Sequence, residues 1–108
     1  MNRKTLTLGG MAAVATAIAA SVALGSTVQP PPKIASAGKI VYCSDVTYPP
    51  EEYFQGSKPI GSDIDIGTEV AKLMGVKAEF KNTTFDSIIA ALLAKKCDAI
   101  ISGMNDTA

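Results

Sequence analysis

A cluster of small and polar residues follows a short apolar run near the end of the chain. The run is Ala99-Ile100-Ile101, and the cluster is Ser102-Gly103-Met104-Asn105-Asp106-Thr107. It supplies a hydroxyl at Ser102, an amide at Asn105 and, at Gly103, a backbone that a ligand can approach closely because glycine has no Cβ. Such groups bind carboxylates and other small charged groups. The same residue types also suit an ordinary turn followed by a helix cap, so two readings stand: a binding site and a turn.

The composition excludes several kinds of catalytic and cofactor site. The chain has no histidine, so it cannot form a His-based metal site or a Ser-His-Asp triad. Its glycine-rich stretch at 56–61 lacks the GxxxxGK[ST] pattern of a nucleotide-binding loop. No cysteine or carboxylate spacing typical of a metal site is present either. We therefore expect no cofactor and no metal.

The distribution of charge argues against a nucleic-acid partner. All ten acidic residues follow Ala37, against seven lysines after that point, so residues 38–108 carry a net charge of about −3. Nucleic-acid-binding domains instead carry a basic patch or stripe.

Two helices and three strands are predicted to position the polar cluster. Apolar residues at helical spacing predict buried stripes, formed by Ile66, Val70, Leu73 and Met74 in the first helix and by Phe85, Ile88, Ile89, Leu92 and Leu93 in the second. The strands are predicted at Lys39–Asp45, Val76–Phe80 and Ala99–Ile101, and the stretch Gln55–Gly61 is predicted as a turn region. The order β-α-β-α-β with short connections predicts an α/β fold with a parallel sheet. Ligands bind beyond the carboxyl ends of the strands in such sheets, and the polar cluster lies there.

Polar residues at the predicted helix starts are expected to act as caps. Ser62 and Asp65 have the spacing of a capping-box variant, and Thr83 or Thr84 precedes the second helix. We expect Asp63 and Asp65 to cap the first helix rather than contact a ligand.

The first 37 residues resemble a secretory signal rather than a folded domain. Arg3 and Lys4 precede 17 uncharged residues, Leu8–Leu24, and the prolines 30–32 then predict an extended spacer. We expect residues 1–37 to be a signal peptide and Pro-rich spacer, with 38–108 forming the folded part; the alternative is a retained membrane anchor.

Two places fit the small-residue rule for signal-peptide cleavage. Ala35-Ser36-Ala37 predicts a mature chain that starts at Gly38, and Ala23-Leu24-Gly25 is an earlier alternative. Either cleavage implies export to the periplasm or the cell exterior.

The two cysteines, Cys43 and Cys97, are expected to remain separate buried thiols. Export makes a disulfide a real alternative. In neighbouring parallel strands, however, the two residues are offset by about four positions, roughly 13 Å at strand rise. A disulfide requires Cα atoms within about 7 Å.

Three segments in order resemble family 3 of the bacterial extracellular solute-binding proteins, the polar amino-acid receptors of ABC importers. The segments are residues 43–50, CSDVTYPP; residues 61–65, GSDID; and residues 85–107 with their helix, strand and polar cluster. The resemblance implies a periplasmic-binding-protein-like fold of type II, in which two lobes close on a ligand. It also implies that this sequence is the beginning of the first lobe, with its first strand central, so that Asp45 and Ser102 end side by side.

By this resemblance, six residues are implied to contact an amino-acid ligand: Asp45, Tyr48, Phe85, Ser102, Gly103 and Asn105. Ser102, Gly103 and Asn105 would hold its carboxylate or ammonium, together with an arginine expected a few residues past Thr107. Asp45 and Tyr48 would contact its side chain, and Phe85 would stack on it. The alternatives from the residues themselves are an Asx turn at Asp45, a loop aromatic at Tyr48 and core packing at Phe85.

One departure from the family pattern bears on specificity. The family usually has an apolar residue after the double proline, whereas this chain has Glu51 followed by Glu52. The two carboxylates either bias the entrance toward cationic ligands or are simply solvated, as loop carboxylates usually are, and we expect the second.

The function implied is that of a monomeric receptor that presents a polar or charged amino acid to the membrane permease of an ABC importer. It would be a binding protein and not an enzyme. The rivals are a periplasmic enzyme on the same scaffold, such as a cyclohexadienyl dehydratase or a lytic transglycosylase, and the sensor domain of a membrane receptor, because fold does not fix function.

Overall fold

The computed structural model describes residues 9–10 and 28–107. These residues form three helices and six strands in the order α1 (Pro32–Ala37), β1 (Lys39–Ser44), β2 (Thr47–Tyr48), β3 (Glu52–Gln55), β4 (Lys58–Ile60), α2 (Ser62–Leu73), β5 (Lys77–Asn82), α3 (Phe85–Leu93) and β6 (Ala99–Ile100). No helix in this part of the chain is long and apolar enough to cross a membrane.

The main sheet is parallel, with the strand order β5-β1-β6. Tyr42 of β1 pairs with Phe80 of β5 on one side and with Ala99 of β6 on the other. The predicted α/β fold with a central first strand is therefore confirmed. Since β1 and β6 are neighbours that run in the same direction, their carboxyl ends open on the same edge of the sheet.

Between β1 and α2 the chain forms an antiparallel sheet that the sequence did not predict. Strands β2, β3 and β4 lie in that order, and Gln55 pairs with Lys58 across the turn. Gly56 in this turn has φ of 63°, a left-handed conformation that glycine adopts without strain. The chain thus turns within the predicted turn region, but the residues on either side pair as strands.

Both faces of β1 are covered, which explains its nearly continuous apolar sequence. Ile40 and Tyr42 pack with Ala71 and Met74 of α2. On the other face, Cys43 packs with Ile88 of α3 and with Cys97.

The helices turn a different face to the sheet from the one expected. In α2 the buried residues are Ile64, Gly67 and Ala71, followed by Met74, whereas the predicted Ile66, Val70 and Leu73 are exposed. Helical spacing shows which side of a helix is apolar, but it does not show which residues of that side lie nearest the sheet. Small residues allow the helix backbone to approach the sheet more closely than large ones do. A Cβ at Gly67 would lie 3.0 Å from the Phe80 ring, so the helix rests on the sheet through its smallest residue.

The second helix shows the same difference. Only Ile88 of its predicted stripe is fully buried, with Leu92 partly buried, while Phe85, Ile89 and Leu93 are exposed.

The capping predictions placed the N-cap of α3 correctly at Thr84, but they were wrong about which side chains cap the helices. Neither α2 nor α3 has a side-chain cap from its own N-cap residue, which is Gly61 in α2 and Thr84 in α3. Instead, the Asp45 carboxylate, 40 residues upstream, accepts a hydrogen bond from the Phe85 N–H at the start of α3.

Cys43 and Cys97 form a disulfide with Cα atoms 5.7 Å apart, so the prediction of two separate thiols was wrong. The register aligns Cys43 with Ile100, three residues beyond Cys97. Cys97, however, lies in the turn before β6, and the Asp98 N–H donates to the Val41 carbonyl at 2.7 Å, which holds this turn against β1. Because Cys97 lies in this turn and not in a strand, the distance of about 13 Å that was estimated from strand rise does not apply to it.

Helix α1 lies within the segment expected to be signal peptide and spacer. Its residue Ile34 is 8% exposed and belongs to the core cluster beside α2. The Lys33 ammonium lies 3.1 Å from the Asp98 carboxylate, and the Val28 N–H donates to the Leu73 carbonyl. The predicted charged start, most of the apolar segment and the earlier cleavage site at 23–25 lie outside the described residues.

Candidate functional site

The carboxyl ends of β1 and β6 meet at one hydrogen bond. The Asp45 N–H, just past β1, donates to the Ser102 hydroxyl at 3.0 Å. The resemblance placed these two residues side by side, and the parallel register of β1 and β6 brings them together.

The Asp45 carboxylate connects β1 to two other elements. One oxygen accepts the Thr47 hydroxyl at 2.6 Å, and the other accepts the Phe85 N–H at 2.8 Å. Asp45 therefore forms the local turn expected of an Asx residue and caps α3 as well. Its side chain remains partly exposed, so a ligand can still approach the carboxylate.

A cavity of about 320 Å³ opens beside these residues. It is lined by five of the six predicted contact residues and by two others: Asp45, Tyr48, Phe85, Ser102 and Gly103, with Thr47 and Glu52. Asn105 is exposed and lies outside this lining. The roles of all six residues in ligand contact stay predictions.

Two aromatic rings stand at the cavity with large exposed surfaces. Tyr48 is 58% exposed and Phe85 is 50% exposed, so neither ring is buried in the hydrophobic core. Tyr48 also packs closely on the backbone at Gly103, where an added Cβ would lie 3.0 Å from the ring. Gly103 is thus the residue that lets Tyr48 lie over the end of β6.

Glu52 is fully buried at the floor of the cavity, so the expectation of a solvated loop carboxylate was wrong for this residue. The Ser102 hydroxyl donates to Glu52 Oε1 at 2.6 Å. Next to it, the Gly103 N–H donates to Asp63 Oδ2 at 2.9 Å. Asp63 therefore holds the end of β6 rather than capping α2.

These bonds use the polar groups that the sequence singled out for a ligand. The Ser102 hydroxyl both accepts from the backbone and donates to Glu52, and the Gly103 N–H is engaged by Asp63. No local signal in the sequence could have revealed the burial of Glu52, because Glu52, Tyr53 and Phe54 do not alternate in polarity and a carboxylate on a short strand usually faces water.

The cavity is acidic. Asp45 and Glu52 line it, and within residues 28–107 it is lined by no lysine or arginine. Burial raises the pKa of Glu52, and the neighbouring Asp63 carboxyl raises it further, whereas the hydrogen bond from Ser102 acts in the opposite direction. Within the described residues no group of three His, Cys, Asp or Glu side chains could hold a metal ion.

Comparison with known proteins gives a consistent match. The sequence profile of the bacterial extracellular solute-binding proteins, family 3, matches residues 40–108. ABC transporter arginine-binding protein 1 of Escherichia coli (strain K12) is 41% identical over 73 residues, which are 67% of this chain and 30% of that relative. The lysine/arginine/ornithine-binding periplasmic protein of the same organism is 33% identical over 108 residues, which are 99% of this chain and 37% of that relative.

A solved structure shows the same fold. The arginine-bound form of domain 1 from TmArgBP superposes with a TM-score of 0.69 at 35% identity, covering 72% of this chain and 63% of that one. The chain spans about a third of the length of the two curated relatives.

Proposed function

The chain belongs to family 3 of the bacterial extracellular solute-binding proteins, and we propose that it captures a cationic amino acid for an ABC importer. The observation that carries the proposal is the acidic cavity at the carboxyl ends of β1 and β6, with two exposed aromatic rings and no basic residue in its described lining. The names of the two curated relatives, both of which include arginine, support the same ligand class.

The cavity suits a positively charged side chain in two ways. A guanidinium or ammonium group beside Asp45 forms a charge-assisted hydrogen bond with the carboxylate. The same group over the face of Tyr48 or Phe85 gains a cation–π interaction, which contributes about 0.5–2 kcal/mol depending on how far it is desolvated. An acidic ligand would instead meet Asp45 with no described cation to offset the repulsion.

The ammonium and carboxylate of the ligand are proposed to lie over the end of β6, although the Gly103 N–H and the Ser102 hydroxyl proton are already bonded to Asp63 and Glu52. Glu52 and Asp63 fix Ser102 and Gly103, so these two residues shape the floor of the site. Asn105 brings an exposed amide beyond them.

The proposed mechanism is closure of two lobes around the ligand, of which this chain contributes part of the first. A ligand that binds the closed form more tightly shifts the open–closed population toward it. The protein would act as an exported monomer in the periplasm or outside the cell and would deliver its ligand to a membrane permease. The disulfide between Cys43 and Cys97 supports an extracytoplasmic location, because structural disulfides persist in oxidising compartments.

Calorimetric titration of the purified protein with arginine, lysine, glutamine and glutamate tests the ligand class. Arginine and lysine should bind most tightly, glutamine should bind weakly, and glutamate should give no heat of binding. Tighter binding of glutamate than of arginine would overturn the cationic assignment. Absence of binding to all four, with turnover of a cyclohexadienyl substrate, would favour the enzyme reading instead.

A further inference from the structure

Two acidic side chains hold consecutive residues at the floor of the cavity. Glu52 comes from β3 and accepts the Ser102 hydroxyl, and Asp63 comes from α2 and accepts the Gly103 N–H. The Asp63 carboxyl lies beside that of Glu52. The end of β6 is thus held by a pair of neighbouring carboxyl groups.

One buried oxygen of this pair of carboxyl groups accepts no hydrogen bond within residues 28–107. Glu52 is fully buried, and its Oε2 atom has no hydrogen-bond partner among the described residues. Leaving a buried oxygen of an ionised carboxylate unpaired is costly, and a second carboxylate beside it adds repulsion. A proton on Glu52 Oε2 removes both problems, because the neutral carboxyl can then donate to the Asp63 carboxylate.

We propose that Glu52 carries a proton that it donates to the Asp63 carboxylate, and that this acid pair positions Ser102 and Gly103 at the ligand site. Glu52 is then a positioning residue that acts through Ser102, not a ligand contact. The acid pair itself does not depend on the proposed function; only its effect on amino-acid affinity does.

The charged groups that line the cavity beside the pair are acidic. Asp45, at the end of β1, lines the same cavity, with its carboxylate bonded to Thr47 and Phe85. Tyr48 of β2 faces the cavity from above Gly103. In the described lining no lysine or arginine is available to stabilise a second negative charge.

The sign of the pH dependence follows from these surroundings. Burial and Asp63 raise the pKa of Glu52 above its ordinary value, so the folded protein retains a proton that the unfolded chain releases. The stabilisation is present below the unfolded pKa and is lost as the pH rises through the folded pKa. One retained proton lowers the folding equilibrium constant by at most about tenfold for each pH unit in that window.

Urea unfolding of the purified protein over about pH 5–9 tests the acid pair. Glu52→Gln keeps the shape of the side chain: its amide oxygen accepts from Ser102, and its amide NH₂ donates permanently to Asp63. We expect the unaltered protein to lose stability as the pH rises, and Glu52→Gln and Asp63→Asn each to flatten that slope. The control Glu51→Gln, on the adjacent residue outside the cavity lining, should keep it.

Infrared spectroscopy gives a second, direct readout. Just above the ordinary pKa range of exposed carboxyl groups, the unaltered protein should show the C=O stretch of a protonated carboxyl group, and Glu52→Gln should remove it. A Glu52→Gln protein that keeps the original pH slope, or an unaltered protein without this band, would overturn the proposal. If the slope and the band behave as expected but no amino acid binds, the acid pair stands and the proposed function fails.

Discussion

The Asp45 N–H donates to the Ser102 hydroxyl at 3.0 Å, joining the ends of two parallel strands that are 57 residues apart in the sequence. The same hydroxyl donates to Glu52, so a single oxygen connects β1, β3 and the end of β6. The arrangement of the cavity therefore depends on Ser102, a residue that is only 5% exposed.

Ser102→Ala should destabilise the fold as well as the site. The substitution removes the acceptor of the Asp45 N–H and the hydroxyl donor to the buried Glu52 Oε1. Hydrogen bonds to charged or buried groups contribute about 1–3 kcal/mol, so the free energy of unfolding in urea should fall by about that amount. The matched control is Ser57→Ala in the exposed β3–β4 turn, which should change it by less than about 0.5 kcal/mol. Equal stability of the two variants would show that the Ser102 hydroxyl is not integral to the fold.

The disulfide should contribute strongly to stability. Cys43 and Cys97 are 54 residues apart in the sequence, and closing a loop of that size restricts the unfolded chain by about 4 kcal/mol in the chain-entropy model, with typical measured effects of about 2–4 kcal/mol. The double variant Cys43→Ala/Cys97→Ala should lose stability in this range. Alkylation of the denatured, unreduced protein should label neither cysteine; labelling of both would contradict the bond.

Asp98 should give the protein an acid-sensitive component of stability. The Val41 N–H, which donates to its carboxylate at 2.8 Å, and the Lys33 ammonium lower the pKa of Asp98, against the opposing effect of burial. A lowered folded pKa gives stability that is present above the unfolded pKa and is lost as the pH falls through the folded value.

The measurement for Asp98 is urea unfolding between about pH 2 and pH 5. Asp98→Asn keeps an acceptor for the Val41 N–H but loses the charge, so its stability should fall less steeply with acid than that of the unaltered protein. Asp106→Asn, at an exposed position, should follow the unaltered protein. If the free energy of unfolding depended on pH identically in all three proteins, Asp98 would not be the source of the acid sensitivity.

Helix α1 should belong to the exported protein. Cleavage after Ala37, which the small residues there favour, would remove Ile34 from the core and Lys33 from Asp98. We therefore expect N-terminal sequencing of the exported protein to find Ser26, the earlier start. Ile34→Ala should cost about 2 kcal/mol, whereas Ile66→Ala, at an exposed isoleucine, should cost little. A start at Gly38 would show that α1 is dispensable.

Regular patterns predicted the parallel sheet well, because buried strands and intervening helices have a clear period and few possible connections. The central place of β1 and the pairing of Asp45 with Ser102 came from the family resemblance. Local spacing could not show that Asp45 caps a helix 40 residues away, since no feature near Phe85 records it.

The remaining errors share a physical cause. Cys97 was placed by strand geometry, but a turn held by Asp98 carries it toward Cys43. Glu52 was expected in water, but its burial depends on Ser102, which is distant in sequence. In both cases contacts between distant segments override the local preference, and a single sequence does not display such contacts.

The central claim, a cationic ligand bound at Asp45, is tested most directly by the ratio of affinities for arginine and citrulline. The two ligands differ in that citrulline carries a neutral urea group where arginine has its guanidinium. Calorimetry on the unaltered protein should show a preference for arginine of tenfold to about a hundredfold, since a hydrogen bond to a charged group contributes about 1.5–3 kcal/mol. In Asp45→Asn the ratio of the affinities for arginine and citrulline should fall close to one. A general weakening of the site would lower both affinities alike and would leave their ratio unchanged. Equal affinities for the two ligands in the unaltered protein would contradict the account.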